Sequence, residues 1–375
     1  NRDVVVRPRA ADGPLIFVQD THRSFLPMHY PLLFPSGENG WDLSQKVGTK
    51  NLSASMWAKY HLHSRPGTPH RDTLLHACRL FQEFCCVMWA IAENQKLRWF
   101  AFNQKTILAA MYRNVADHIQ ANDGNRVDEA TVGRRVVLGP QFQGGPRMHH
   151  ERFQNVMAVC KERGDKPTFF ITFTTNPAWP EIVAELLPGQ QATDRPDLVS
   201  RVFQARKNVF RQLVRRCFGE RVMEVDVVEF QKRGLPHLHL LLGIRGGSLL
   251  QGPDVDDAIC AEVPAPGPLR DLVLSMMVHG PCGAANPKAP CMKDGVCQKR
   301  FPMAFQSETI ITEDGYSTLR RRSPAEGGHE VVLDDGRVID NRWIVPYNPF
   351  LLLAMNCHVN VMFVGSVKVV AYLFK

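Results

Sequence analysis

The sequence predicts an α+β fold, in which a central antiparallel sheet carries helices on one face and follows a mostly helical N-terminal region. Two observations lead to this prediction. In the C-terminal two-thirds, short β-branched and apolar runs are separated by longer runs with helical periodicity. Around Gly234, two apolar runs flank a short polar turn, which is typical of a β-hairpin. Strands and helices that are not in strict alternation favour an antiparallel sheet over a parallel one.

The N-terminal part divides into two kinds of sequence. Residues 1–70 are rich in proline and glycine and predict extended, irregular structure with few helices. Residues 72–120 place apolar side chains at helical spacing, which predicts helices. We therefore expect a first domain over residues 1–130, irregular and helical. Its helices either pack as a plain bundle or present a face to DNA.

The second predicted domain covers residues 131–375 and contains the sheet. It includes an arginine-rich amphipathic helix and a cysteine-bearing insertion at about 245–340, which begins with a loop-like stretch over 244–268. The elements predicted around this insertion are a helix (151–163), a strand (168–175), a helix (197–218), the hairpin (225–242), a strand (358–364) and a helix (366–375). The sheet face that carries the histidines is expected to be open.

The net charge, the lengths of the apolar runs and the cysteine pattern narrow the class of protein. The formal charge of +8 over 375 residues suits a polyanionic partner. No secretory signal and no membrane-length apolar run is present. The ten cysteines form no secreted-scaffold pattern, which favours a reducing intracellular compartment. Because the chain starts at Asn1 and stops within an apolar run, we expect a fragment of a longer polypeptide.

The hairpin carries the main candidate site. His237 and His239 share one strand face because residues i and i+2 point the same way. If the loop is residues 232–234 with Gly234 in the left-handed conformation, Gln231 pairs with Leu235 and Glu229 lies opposite His237. Such groups are costly to bury without a partner, and a divalent metal is the simplest one.

Two imidazoles and one carboxylate suit Mg²⁺ or Mn²⁺ when a substrate phosphate completes the coordination, and Zn²⁺ is also compatible. The alternative interpretation is one core histidine beside a surface glutamate, since a bare His-x-His pattern is common.

A candidate nucleophile lies in the last predicted helix. Tyr372 shares a helix face with Lys368 and Lys375, opposite the apolar side. Their positive charge favours the phenolate and could hold a phosphodiester. The alternative is an ordinary tyrosine on an amphipathic helix.

Three further sets of residues are candidates for binding. His279, Cys282, Cys291 and Cys297 could hold a structural Zn²⁺, or could be loop residues that cluster by chance. Arg206, Arg211 and Arg215 could line a DNA path or form a solvated helix face. Exposed tryptophans could stack on bases, although each could equally be core; the candidates are Trp41, Trp99, Trp179 and Trp343.

The combination Glu229-x7-His237-Leu238-His239 with the later Tyr372-Leu373-Phe374-Lys375 resembles the HUH endonucleases. Further runs resemble, more specifically, the Rep part of Helitron transposases, the rolling-circle transposons of eukaryotes. This resemblance covers nearly the whole chain. The runs are Tyr30-Pro31-Leu32-Leu33-Phe34-Pro35 with Gly40-Trp41, Gly144-Gly145-Pro146-Arg147, Phe170-Ile171-Thr172-Phe173-Thr174 with Asn176-Pro177-x-Trp179-Pro180-Glu181-Ile182, Glu229-Phe230-Gln231-Lys232-Arg233-Gly234-Leu235-Pro236-His237, His279-Gly280-Pro281-Cys282, and Arg342-Trp343-Ile344-Val345-Pro346-Tyr347-Asn348-Pro349.

The resemblance implies an HUH Rep-like sheet domain and a role for each site residue. His237 and His239 would be metal ligands, with Glu229 as a third. Tyr372 would be the catalytic tyrosine and Lys375 the lysine of its motif. The implied reaction is transesterification on single-stranded DNA, which leaves a 5′-phosphotyrosine and a free 3′-OH.

The same resemblance implies the setting of the reaction. The expected DNA partners are transposon ends and target, with Mg²⁺ or Mn²⁺ as the cofactor. A helicase domain is expected in the same full-length polypeptide, and the location is expected to be nuclear. The cysteine-bearing segment also recurs in the family.

The chain departs from the family pattern at two points. The second tyrosine of the family normally follows the motif lysine, and this sequence stops at Lys375. Met362 stands where the family usually has a glutamate. Two alternatives to the nicking enzyme therefore stay open: a catalytically inactive DNA-binding remnant, and a metal-dependent phosphodiester hydrolase that uses water.

Overall fold

The computed structural model describes residues 4–7, 14–64, 73–107, 136–163, 166–231, 234–312, 317–334, 336–365 and 369–373. The chain forms two compact units, the first from Asn1–Glu151 with Pro188–Asp197 and the second from Arg152–Leu187 with Leu198–Lys375. The domain boundary predicted between residues 130 and 131 lies outside the described residues, so the two-domain assignment stays a prediction.

The first unit packs short elements against one long helix. Its described elements are β1 (Val4–Val6), β2 (Ile16–Val18), α1 (Phe25–His29), β3 (Lys46–Val47), β4 (Lys50–Asn51), α2 (Ala54–His61) and α3 (Arg79–Phe102). Phe84, Met88 and Ile91 recur at helical spacing on α3 and enter a core with Trp41 and Trp57. The helix predicted over residues 72–120 is thus present in part, and its second run extends outside the described residues.

The described part of residues 1–70 contains few helices, as predicted, but the prediction did not identify α2. Ser53 begins this helix, and its hydroxyl accepts a hydrogen bond from the Met56 backbone at 3.2 Å. This N-cap satisfies an amide that the helix leaves unpaired. The helix has only eight residues, so its helical pattern is short, and the surrounding prolines and glycines indicated irregular structure instead.

The second unit contains a four-stranded antiparallel sheet and several short elements. The described elements in chain order are α4 (Pro146–Arg163), which begins in the first unit, β5 (Phe169–Thr174), α5 (Pro180–Val183), α6 (Pro196–Cys217), β6 (Arg221–Phe230), β7 (Pro236–Ile244), α7 (Gly252–Ala258), α8 (Pro268–Met276), β8 (Met292–Lys293), β9 (Val296–Cys297), β10 (Ile310–Ile311), β11 (Ser317–Thr318), β12 (Glu330–Val332), β13 (Val338–Asp340), α9 (Pro349–Met355), β14 (Val359–Phe363) and α10 (Val370–Leu373). The strand order is β14-β5-β7-β6, with every neighbouring pair antiparallel.

One face of this sheet packs on α6. The Phe173 ring stacks on Phe210 at 4.5 Å and lies 5.5 Å from Phe203, seven residues away on the same helix. The leucines of β7 that point to this side, Leu238, Leu240 and Leu242, are fully buried. The amphipathic pattern of residues 197–218 therefore predicted both the helix and its buried stripe.

The opposite face, which carries the histidines, is also covered over part of its length. Val156 and Cys160 of α4, with Val370 and Leu373 of α10, pack with Phe170, Met223 and Leu241 of the sheet. The expectation of helices on one face and an open histidine face was therefore wrong. All nine residues of β7 are buried, which requires cover on both sides. The continuous run Leu240-Leu241-Leu242 is the sequence signal for such a strand.

The insertion between β7 and β14 builds its own apolar core. Val273 and Met277 pack there with Ile344 and Tyr347. The region from 244 to 268, predicted as a loop, contains α7. Gln251 and Asp254 form a capping box that satisfies the first backbone amides of that helix.

Candidate active site

The predicted register of the hairpin is confirmed. Glu229 pairs directly with His237, and the Gln231 amide donates to the Leu235 carbonyl at 3.0 Å. Gly234 has φ +77°, and its amide donates to the Gln231 carbonyl at 2.8 Å. Glycine adopts this left-handed conformation without the steric cost that a side chain adds. Lys232 and Arg233 lie outside the described residues.

Strand pairing arranges the polar side chains of this face in two rows. The first row crosses the sheet from Glu229 through His237 and Thr174 to His358. The second row holds His239, Thr172 and Asn360, with the apolar Val227 at its end. The third row, with Leu241, Phe170 and Met362, begins the apolar part. The polar groups therefore occupy one end of the face, beside the part that α4 and α10 cover.

The two imidazoles and the carboxylate converge at this end. The His239 Nε2 atom lies 3.3 Å from a Glu229 oxygen, and the two histidine rings are 4.5 Å apart at 71°. Only 8% of His237 and 7% of His239 is exposed, whereas 47% of the Glu229 side chain is. The carboxylate is thus the most exposed member of the trio.

The residues that contact the Nδ1 atoms of the two histidines were not predicted from the sequence. Thr174 Oγ1 lies 2.8 Å from His237 Nδ1, and Thr172 Oγ1 lies 3.4 Å from His239 Nδ1. His358 Nδ1 is 3.4 Å from the same Thr174 hydroxyl, and Gln231 Nε2 is 3.3 Å from His237 Nδ1. Thr172 and Thr174 alternate on β5 as His237 and His239 do on β7, but only the strand pairing reveals that the two sets meet.

The environment keeps the imidazoles neutral. Burial, with the nearby His239 and His358, lowers the pKa of His237 to about 4. Burial also lowers the pKa of His239, although Glu229 opposes this shift, and it lowers the pKa of His358. A neutral imidazole has a lone pair for a metal, so these shifts favour coordination over protonation near pH 7.

The donor set and its spacing fit a divalent cation. Two ligands that each lie about 2.1 Å from one metal at right angles are about 3 Å apart, close to the 3.3 Å between His239 and Glu229. Both histidines engage a threonine through Nδ1, which leaves Nε2 as the coordinating atom. Rotation of the half-exposed Glu229 side chain would complete the set.

The predicted nucleophile lies on the helix that covers the same face. Tyr372 belongs to α10, whose residues Val370 and Leu373 pack against Phe170 and Leu241 on the histidine side. The Tyr372 side chain, Lys368 and Lys375 lie outside the described residues. Their catalytic and DNA-binding roles therefore stay predictions.

Two of the three candidate DNA-binding arginines contact this chain's own carboxylates. Arg206 makes a bidentate pair with Glu181 at 2.8 and 2.9 Å and lies over the Trp179 ring. Arg211 pairs with Glu224 at 2.6 Å. These contacts account for both side chains without DNA, whereas Arg215 is exposed.

The candidate stacking tryptophans differ in exposure. Trp41 and Trp179 are core residues, and Trp343 is partly buried beside the cysteine cluster. Trp99 is 55% exposed and could still act as a stacking platform.

The predicted cysteine and histidine cluster assembles as a possible metal site. The ligand atoms of His279, Cys282, Cys291 and Cys297 all lie within 4.8 Å of one another. Thiolates bound to one Zn²⁺ at about 2.3 Å are about 3.8 Å apart, so the four ligands need only a small contraction. Among the described residues, this is the group whose ligand atoms converge most clearly on one point.

A tight hairpin positions two of these cysteines. Cys291 and Cys297 flank the turn of β8 and β9, in which Asp294 and Gly295 both have positive φ. The His279 ring stacks on Phe301 at 4.2 Å, and its Nε2 lies 3.4 Å from Cys297 Sγ. Four residues within 19 positions thus bring their ligand atoms close together.

The thiols of the cluster shift one another's pKa values. Burial, reinforced by Cys297 and Cys291, raises the pKa of Cys282 to about 12. Burial acts in the same direction on Cys297, but backbone amides of Phe301 and Lys299 and the neighbouring thiols outweigh it and lower the pKa. Backbone donors that stabilise a thiolate are a common feature of structural zinc sites.

The second unit is thus a mixed α/β fold whose antiparallel sheet carries a histidine pair on the inner strand β7. Residues 57–242 match the family model described as the Helitron helicase-like domain at the N-terminus, which is just under half of the chain. This match confirms the resemblance to the Helitron transposase region. No curated protein matches the chain.

The family assignment indicates a transposase-related role and an association with DNA. The matched region includes β5, β6 and β7 with Glu229, His237 and His239, but not the cysteine cluster or Tyr372. None of the described helices is both long and apolar enough to cross a bilayer.

Proposed function

We propose that this chain is the nicking and joining endonuclease of a rolling-circle transposon, which cuts and rejoins single-stranded DNA by tyrosine transesterification. The observation that carries the proposal is the meeting of Glu229, His237 and His239 at one end of a sheet face that α10 also covers. Tyr372 belongs to α10. A metal-ligand set and a tyrosine-bearing helix on one sheet face are the two parts that this reaction needs.

In the proposed reaction, the Tyr372 hydroxyl attacks a DNA phosphorus atom. The tyrosine–phosphorus bond forms as the bond to the 3′ oxygen breaks, and the proton lost from tyrosine ends on that oxygen. The products are a 5′-phosphotyrosine and a free 3′-OH. A divalent cation held by Glu229, His237 and His239, Mg²⁺ or Mn²⁺, would polarise and position the phosphate.

The covalent link retains the energy of the broken bond, so attack by a 3′-OH reverses the reaction and joins strands. Lys368 and Lys375 would supply positive charge for the phenolate and the phosphodiester. We assign single-stranded transposon ends and target DNA as partners, a nuclear location, and a helicase domain in the same full-length polypeptide on the family assignment alone.

The methionine at position 362 is compatible with activity. Met362 pairs with Phe170, in the apolar row, and not with the threonines that contact the histidines. It therefore displaces none of the three proposed ligands. The cysteine cluster would hold a structural Zn²⁺ that ties His279 to the β8–β9 hairpin.

A denaturing gel tests the proposed reaction. The protein is incubated with a pool of 5′- or 3′-labelled single-stranded oligonucleotides and Mn²⁺. A protein–DNA adduct that survives denaturation and carries only the 3′-labelled fragment is expected. The adduct should be lost in Tyr372→Phe and kept in Tyr60→Phe, a surface tyrosine of the first unit.

Two other outcomes would overturn the proposal in different ways. Cleavage to a free 5′-phosphate that persists in Tyr372→Phe would indicate a hydrolase that uses water. Binding of the oligonucleotides without cleavage or adduct would indicate a DNA-binding remnant.

A further inference from the structure

The Thr174 hydroxyl lies between two histidines of the candidate active site. Its oxygen is 2.8 Å from His237 Nδ1 and 3.4 Å from His358 Nδ1. The two rings belong to β7 and β14, which are separated by β5. Because threonine is short, both rings can reach over β5 to the same hydroxyl.

The hydrogen-bond chemistry of these three groups allows two arrangements. A hydroxyl has one proton to donate and also accepts. If His237 carries its proton on Nδ1, it donates to Thr174, whose own O–H then donates to His358 Nδ1. If His358 instead carries its proton on Nδ1, it donates to Thr174, whose O–H then donates to His237 Nδ1. Both arrangements satisfy all three groups, and only the first leaves the Nε2 lone pair of neutral His237 free.

The amide of Gln231 also faces His237 Nδ1, at 3.3 Å. As drawn, with nitrogen toward the ring, it would favour the opposite tautomer. The O and N atoms of an amide are interchanged by a flip, after which its oxygen accepts from Nδ1–H. The metal-ligand role proposed for His237 Nε2 requires the proton on Nδ1.

We propose that Thr174 and His358 are positioning residues that hold His237 with its proton on Nδ1 and its Nε2 lone pair free for a metal. The inference rests on the proposed metal centre, to which it adds the residues behind the first ligand. An imidazole fixed in the wrong tautomer cannot coordinate through Nε2 until its proton moves, so loss of this support weakens metal binding.

The test combines metal affinity with a spectroscopic signature. Calorimetry with Mn²⁺ measures binding to the parent protein and to Thr174→Val, Thr174→Ser and His358→Phe. Thr174→Val should weaken Mn²⁺ binding about 10- to 100-fold. Thr174→Ser, which restores the hydroxyl, should remain within a few-fold of the parent. His358→Phe removes the acceptor, and its Mn²⁺ affinity should lie between those of the two Thr174 variants.

Thr168→Val is the matched control. Thr168 is also buried, and its hydroxyl accepts from the Ile244 amide at 3.2 Å, at the other end of β7. This variant should leave Mn²⁺ affinity unchanged. Circular dichroism melts show which variants remain folded.

Nitrogen-15 NMR of the metal-free parent needs no substitution and reports the tautomer of His237 directly. The proton is expected on Nδ1. A proton on Nε2 would overturn the inference, as would parent-like Mn²⁺ affinity in Thr174→Val. If His237→Ala also binds Mn²⁺ like the parent, the proposed metal centre itself fails. If His237→Ala abolishes binding and Thr174→Val does not alter it, only the positioning role fails.

Discussion

His237 shows how burial and hydrogen bonding favour the neutral imidazole that the proposed metal binding needs. Its ring is largely removed from water and faces two other histidines, so protonation is disfavoured. The nearby Glu229 carboxylate contacts His239 instead, and the pKa of that ring is the balance of burial and attraction. Adjacent histidines on one strand therefore have different surroundings.

The low pKa of His237 predicts a pH dependence of stability. Between its ordinary value of 6.5 and its folded value of about 4, the unfolded chain binds a proton that the folded chain does not. The free energy of unfolding should therefore decrease as the pH is lowered from 6.5 to about 4. The whole shift corresponds to about 3 kcal/mol. Urea denaturation of metal-free protein between pH 7.5 and 4 measures this.

The comparison uses two variants. His237→Asn should show a shallower loss of stability below pH 6.5, because the titrating group is gone. His329→Asn, which removes an exposed histidine of the second unit, should retain the parent slope. Equal slopes in the parent and in His237→Asn would contradict the predicted shift.

At the scale of elements, the turn of the β6–β7 hairpin determines which residues meet at the candidate site. The side-chain period of a strand is two, so a register change of one residue would move Glu229 to the other face. Gly234 allows the chain to reverse within residues 231–235. The turn conformation thereby determines which carboxylate meets the histidines.

Replacement of Gly234 by alanine isolates the conformational cost of this turn. A methyl group at this position would meet no atom within 4 Å, but the φ of +77° is unfavourable for alanine. Gly234→Ala should lower the free energy of unfolding by about 1–2 kcal/mol. It should also weaken Mn²⁺ binding if the turn shifts Glu229. Urea denaturation and calorimetry measure the two effects.

Gly219→Ala is the control at the other end of β6. Its added methyl also meets no atom within 4 Å, and its φ lies outside the left-handed region. Alanine there should leave stability unchanged or raise it slightly, since it restricts the unfolded chain. A loss as large as that of Gly234→Ala would show that the turn conformation is not the cause.

At the scale of the whole molecule, the second unit combines two sites of different character. The cysteine cluster is closed and lies in the insertion, whereas the histidine site has an exposed carboxylate at its edge. Closed sites with sulfur ligands hold zinc firmly, and open sites with few protein ligands exchange their metal. We therefore expect one tightly held and one exchangeable metal.

Metal analysis after dialysis tests this division. The parent should retain one zinc per chain, and Cys291→Ser should retain much less. The loss should lower the melting temperature by several degrees, since each kcal/mol of lost stability is worth about 2–4 °C in a domain of this size. Cys217→Ser, a half-buried cysteine outside the cluster, should keep the zinc. His237→Ala should also keep it, and zinc retention in Cys291→Ser would contradict the assignment.

The prediction from sequence succeeded where the signal is local. The α6 stripe follows from helical periodicity, and the Glu229–His237 pairing follows from one glycine and the two-residue strand period. The prediction failed where a signal is weak or distant. α2 and α7 contain only eight and seven residues, and neither the capping residues nor the composition of their surroundings indicated them clearly.

The sequence by itself determined that two histidines share a strand face, that a carboxylate lies opposite one of them, and that four metal-type ligands lie within residues 279–297. These depend on periods and spacings along one stretch of chain. Only the tertiary structure placed Thr174 and His358 behind His237, and Val370 and Leu373 over the same face. The reason is that strand order and helix packing join residues nearly 200 positions apart, and no local period encodes which distant strand becomes the neighbour.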